Sequence, residues 1–193
     1  MKKKPDQIRA ILLDRDGVIN EEPGPILEPS SFHFIPGSIE AIARINHAGW
    51  LCLLVTNQSA LARGKMELAD FAKVTWKMNQ SLFDGGARLD AMYFCPHHPE
   101  WENGNRRKSI KLCECRKPGT LLLERAAKEN NFSANEAVFI GDSSTDFEAA
   151  AKWGTTSVGV LTGNSSRDGD VSFEPDYWKK DLWEAVDFLL ESY

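Results

Sequence analysis

Long apolar runs are missing from this chain of 193 residues, and so is any block of positive charge. No stretch approaches the ~20 apolar residues that a membrane helix needs. Met1-Lys2-Lys3-Lys4 carries the charge of an export signal, but the apolar stretch behind it is short and stops at Asp14, so no leader is expected. Lys and Arg total 23 against 28 acids, a net charge of −5, which leaves no basic stripe for a phosphate backbone. Neither nucleic acid nor membrane is therefore an expected partner. Cysteine is scarce, at four residues. In the cytoplasmic setting that these absences imply, cysteines are thiols or metal ligands more often than disulfides. No repeat and no linker divides the chain, so one domain over 1–193 and a monomer are the expectations.

What is present is an alternation of strand and helix signals. Ile11-Leu12-Leu13 and Leu51 to Thr56 read as buried parallel strands, as do Ala91 to Cys95, Ala137 to Gly141 and Ser157 to Leu161. Between them lie helical patterns. One opens at Ser38, a candidate N-cap, and closes at Gly49. Another spans Glu67 to Phe83 with Leu68, Phe71, Val74, Met78 and Leu82 on one face. Further helices cover Leu121 to Lys128, Thr145 to Trp153 and Asp181 to Leu190. The alternation predicts an α/β fold, a Rossmann-like doubly wound parallel sheet. Irregular stretches cover Glu21 to Pro29 and the region from Cys95 towards Pro118, and Asn164 to Asp170 reads as a surface loop.

The strand ends carry the chemistry. Ile11-Leu12-Leu13 stops at Asp14-Arg15-Asp16-Gly17. In an open α/β sheet ligands bind at the carboxyl ends of strands. Two acids at i and i+2 there can act as nucleophile and general acid, although Asp-Gly is also a common turn. The second strand ends in Thr56-Asn57-Gln58-Ser59, a hydroxyl, two amides and backbone N–H groups entering a helix, suited to an anion. Arg116 and Lys117 bring cations from the same side of the sheet. Asp142 and Asp146, at i and i+4, close the fourth strand. A phosphate dianion placed against an ionised Asp14 meets repulsion of ~4 kcal/mol per charge pair at 4 Å. A hard divalent cation, Lys117 and the Thr56 hydroxyl offset that repulsion. The acid role requires Asp16 to begin protonated while Asp14 is ionised.

Cys95-Pro96-His97-His98 and Cys113-Glu114-Cys115 bracket the longest irregular loop, about 95–115. Cys95, His97, Cys113 and Cys115 make a closed set for structural Zn²⁺, with His98 the alternative imidazole. Reduced surface cysteines or a Cys95–Cys113 disulfide are the other readings. A long polar loop needs such a staple to keep its shape.

The order of these motifs resembles the haloacid-dehalogenase phosphatase superfamily from about Ile11 to Gly163. The loop, with Cys95-Pro96-His97-His98-Pro99, Cys113-Glu114-Cys115-Arg116-Lys117-Pro118 and Ala62-Arg63-Gly64-Lys65, is similar to its histidinol-phosphate and heptose-bisphosphate phosphatase branch. The resemblance implies that Asp14 attacks phosphorus and that Asp16 protonates the leaving alkoxide and then activates water. Mg²⁺ would be held by Asp14, the backbone carbonyl of Asp16 and Asp142, with Asp146 in support. It further implies that Arg116 and Lys117 contact phosphate and that the segment around Glu22 and Gly24 recognises substrate. A small phosphorylated sugar, a heptose bisphosphate, is the expected substrate, with histidinol phosphate or another sugar phosphate as alternatives. Neither insertion point has room for a large cap domain. Ala60, Ser143 and Glu22-Pro23 depart from the branch's usual Gly, Lys and Asp-His, all around substrate and none in the catalytic set. A silent phospho-ligand-binding protein, the reading of another class, would be expected to have lost Asp14 or Asp16.

Overall fold

The computed structural model describes residues 7–106, 113–163 and 173–193. Asn164 to Asp170 and the middle of the 95–115 loop lie outside the described residues. In chain order the elements are β1 (Ala10–Leu13), α1 (Ser38–His47), β2 (Leu51–Asn57), α2 (Ser59–Ala62), α3 (Leu68–Asp84) and β3 (Ala91–Cys95). A small hairpin, β4 (Trp101–Glu102) and β5 (Asn105–Arg106), follows. Then come α4 (Leu121–Asn130), β6 (Ala137–Gly141), α5 (Ser144–Trp153), β7 (Thr156–Val160), β8 (Tyr177–Lys179) and α6 (Leu182–Ser192).

Among the described residues, six strands form one parallel sheet in the order β3-β2-β1-β6-β7-β8. The chain winds outward from β1 through β2 to β3, then returns to β6 on the other side of β1. The order therefore reverses between β1 and β6, the place where open α/β sheets bind ligands at the carboxyl ends of their strands. Asp14 leaves β1 there, its backbone N–H donating to the Ile140 carbonyl at 3.0 Å.

Both faces of the sheet are covered, which is why the strands read as continuous apolar runs. Ile11, Leu13, Cys52 and Leu54 point into one core with α1, α3 and α6; Ala10, Leu12, Leu53 and Val55 point into the other with α4 and α5. Each fully buried Leu or Ile contributes about 1.5–3 kcal/mol of transfer free energy.

Three local expectations change, and one further strand is present that the sequence pattern does not announce. Gly37, with φ 85°, occupies the N-cap of α1, while Ser38 is its first residue and donates its hydroxyl to the carbonyls of Ile35 (2.7 Å) and Ile19 (2.9 Å). Leu68 is 63% exposed, because it sits at the very start of α3 where the helix has not yet met the sheet. The edge strand β8, Tyr177-Trp178-Lys179, is three residues long and only partly buried, too short to show as an apolar run. The Cys95–Cys115 loop contains the β4–β5 hairpin, whose Trp101 lines a groove with Leu61, Ala62, Pro96 and His97.

Candidate active site and metal centres

Gly17, at φ 79°, turns the chain sharply after Asp16, and its N–H donates to the Asn20 carbonyl at 2.8 Å. That turn fixes Asp14 and Asp16 on opposite sides of one loop. Asp14 Oδ1 accepts from the Arg15 backbone N–H at 2.7 Å and lies 2.9 Å from Lys117 Nζ. Lys117 is almost wholly buried and also reaches Asp146 Oδ1 at 2.7 Å and the Val55 carbonyl at 2.9 Å. Burial works against its charge, yet Asp14 and Asp146 outweigh it and hold the ammonium above the usual lysine range. The backbone of Lys117 is fixed as well: its N–H donates to Asn57 Oδ1, and Asn57 Nδ2 donates back to its carbonyl, each at 3.1 Å.

Asp146 serves that lysine. Its other oxygen accepts from the Ser143 hydroxyl at 2.8 Å and from the N–H groups of Ser143 (3.2 Å) and Asp142 (3.3 Å), a capping box at the start of α5. The strand end and the helix start thus place Asp142 and Asp146 together. Carboxylate oxygens of Asp14, Asp142 and Asp146 lie within 4.8 Å of one another. Buried oxygen donors that close fit a hard divalent cation such as Mg²⁺. Asp146, expected in support, joins the cluster by its carboxylate, while the carboxylate of Asp16 is held by Arg15, Asn20 and Gln58.

Asp16 Oδ1 accepts from Arg15 Nε (3.1 Å) and Nη2 (2.9 Å) and from Asn20 Nδ2 (3.0 Å); Oδ2 accepts from Arg15 Nη2 (3.0 Å) and Gln58 Nε2 (2.9 Å). Gln58 Nε2 also donates to Thr56 Oγ1 at 3.0 Å, so the second strand's terminus grips the first loop. Burial is the largest influence on Asp14; together with the charges of Asp146 and Asp16 it outweighs Lys117 and pushes the carboxyl up to about 6. Charge on Asp14 therefore depends on the cation that its cluster can take.

From Asp16 a cleft of about 240 Å³ opens, lined by the predicted Asn57, Gln58, Ser59, Glu22 and Gly24. Three cations that were given no role from the sequence line it too: Arg15, Arg63 and Lys65. Arg116 lies outside this lining and donates from Nη1 to the His97 carbonyl at 3.2 Å. Arg15 was passed over as a spacer between two acids; its neighbour Asp16 is the one signal that could have marked it.

The second centre is a cluster of three thiols and an imidazole. Sγ–Sγ separations among Cys95, Cys113 and Cys115 are 3.3–3.6 Å, and His97 Nδ1 lies 3.2 Å from Cys115 Sγ. A disulfide needs about 2.05 Å, whereas ligands about 2.3 Å from a tetrahedral Zn²⁺ stand roughly 3.8 Å apart. All three are free thiols. Burial and the adjacent thiols push Cys95 well above the usual range, a cost that a bound cation would remove. His98 is turned away, with Nε2 2.8 Å from Arg63 Nη2 and Nδ1 accepting from the Glu100 N–H.

A profile of the HAD-hydrolase-like family matches residues 114–185. Over 141 residues, 73% of this chain and 74% of the relative, the sequence is 42% identical to the D-glycero-beta-D-manno-heptose-1,7-bisphosphate 7-phosphatase of Pasteurella multocida. It is 35% identical over 185 residues, 93% of this chain and 94% of the relative, to the D-glycero-D-manno-heptose-1,7-bisphosphate 7-phosphatase of Thermosynechococcus vestitus. The crystal structure of D,D-heptose 1,7-bisphosphate phosphatase from B. bronchiseptica, complexed with magnesium and phosphate, superposes with a TM-score of 0.86 at 32% identity, covering 96% of this chain and 100% of that one. Fold and relatives place the protein among hydrolases of the haloacid-dehalogenase class, and its enzyme type is phosphatase. Within that class the chain belongs to the heptose 1,7-bisphosphate 7-phosphatase family. No helix among the described residues is long and apolar enough to cross a membrane.

Proposed function

We propose that the chain removes the 7-phosphate of D-glycero-D-manno-heptose 1,7-bisphosphate. The observation that carries the substrate is the cleft itself, where Arg63 and Lys65 stand beside an Arg15 paired with Asp16, and Glu22 is the other lining acid. A second phosphate on the substrate meets complementary charge there, whereas the ammonium of histidinol phosphate meets like charge. The names of the relatives support the same choice.

In this reading Asp14 Oδ attacks phosphorus, the bond to the leaving oxygen breaks, and Asp16 delivers its proton to that alkoxide. Water then attacks the aspartyl-phosphate, Asp16 takes the proton, and Asp14 is restored as inorganic phosphate leaves. Lys117 and the Thr56 hydroxyl hold the non-bridging oxygens and are fixed beforehand by Asp146, Asn57 and Gln58. Mg²⁺ bound by Asp14, Asp142 and the Asp16 carbonyl would supply positive charge against the transferring phosphoryl group. Zn²⁺ on Cys95, His97, Cys113 and Cys115 would hold the wall beside the cleft. Phosphorus NMR of the product tests the regiochemistry. Loss of the phosphomonoester at C7 with the anomeric phosphate intact is the expected result, and loss of the anomeric phosphate first overturns it.

A further inference from the structure

The loop after β7 has no part in the chemistry just described, yet it touches both halves of the acid cluster. Thr162 Oγ1 donates to the Gly17 carbonyl at 2.6 Å. A Cβ added to Gly163 would run into Asp142 Oδ2 and would stand 2.8 Å from Gly17 Cα. A Cβ on Gly17 would meet the same Asp142 oxygen and would stand 2.9 Å from Gly163 Cα. The carboxylate of Asp142 is thus slotted between two glycines, one from each loop.

The two glycines have different reasons to be glycine. Gly17 has φ 79° and is required by its backbone alone. Gly163 is not in the left-handed region, so its backbone would admit alanine. What excludes a side chain there is the Asp142 carboxylate and the Gly17 backbone behind it.

We propose that Thr162 and Gly163 are positioning residues for cation binding: Gly163 sets the orientation of Asp142, and Thr162 ties the Asp14–Gly17 loop to it. The inference rests on Asp14 and Asp142 being the cation's ligands. Residues that orient metal ligands typically change affinity 10–100-fold when lost.

The test is the rise in melting temperature of the full chain titrated with Mg²⁺ alone, from an EDTA-treated baseline. Gly163→Ala should raise the Mg²⁺ midpoint roughly tenfold or more. Thr162→Val should raise it severalfold, while Thr162→Ser, which keeps the hydroxyl, should match the wild type. An unchanged midpoint in folded Gly163→Ala overturns the proposal. If that variant fails to fold, equal midpoints for Thr162→Val and Thr162→Ser overturn it. A wild type with no Mg²⁺ response at all removes the metal reading beneath it, which separates the two failures.

Discussion

Lys117 Nζ and Asp146 Oδ1 lie 2.7 Å apart, and both side chains are essentially sealed from solvent. The same ammonium is 2.9 Å from Asp14, so one cation is shared by two acids. Breaking a buried pair from one side leaves charge uncompensated and costs about 3–5 kcal/mol. Lys117→Met, which strands both acids, should therefore lower stability by about that amount, and Asp146→Asn by less. Urea unfolding with Mg²⁺ absent measures both. Equal stability of Lys117→Met and wild type would contradict the shared-cation arrangement.

The raised carboxyl of Asp14 gives a stability trend with a definite sign. Its ordinary value is 3.8 and its folded value about 6, so the folded state favours the protonated form. The benefit is full below pH 4 and is lost as pH rises through about 6. In EDTA, Asp14→Asn should melt above wild type at pH 8, with the gap closing as pH falls towards 4. The same variant should have no turnover. A gap that widens on acidification would show that the environment favours the carboxylate.

The thiol cluster predicts one Zn²⁺ per chain in gently purified protein. Cys113→Ser should lose the metal, lower the melting temperature and reduce kcat, because Arg116 and Lys117 follow Cys115 directly in the chain. Elemental analysis alongside a thermal melt checks this. A metal-free protein with unchanged melting would remove the structural role.

Arg63 and Lys65 should act on the substrate's far end. Arg63→Ala is expected to raise KM for the bisphosphate roughly tenfold, the cost of one lost charge-assisted contact of ~1.4 kcal/mol. KM for p-nitrophenyl phosphate, which lacks a second phosphate, should hardly move. Parallel losses on both substrates would place Arg63 at the reacting phosphate instead.

The parallel sheet and the acids at its carboxyl ends were legible in the sequence because buried strands leave uninterrupted apolar runs, as in Leu51 to Thr56, and polar residues break them only where the chain leaves the sheet. Tyr177-Trp178-Lys179 left no such mark, since an edge strand of three residues needs no apolar run. The thiol cluster was legible from spacing, but the choice of His97 over His98 needed the geometry that sends His98 to Arg63. Arg15 was hidden by its position between two more conspicuous residues. Gly163 could not be read at all, because what forbids a side chain there is Asp142, a residue 21 positions away in the chain. The upward shift of the Asp14 carboxyl was hidden for the same reason, since burial is a property of the folded site.

The central claim is tested most directly by ranking kcat/KM at saturating Mg²⁺ for D-glycero-D-manno-heptose 1,7-bisphosphate, histidinol phosphate and a panel of sugar monophosphates. The heptose bisphosphate should lead by at least tenfold, with its advantage reduced in Arg63→Ala. Histidinol phosphate at the head of the ranking would contradict the account.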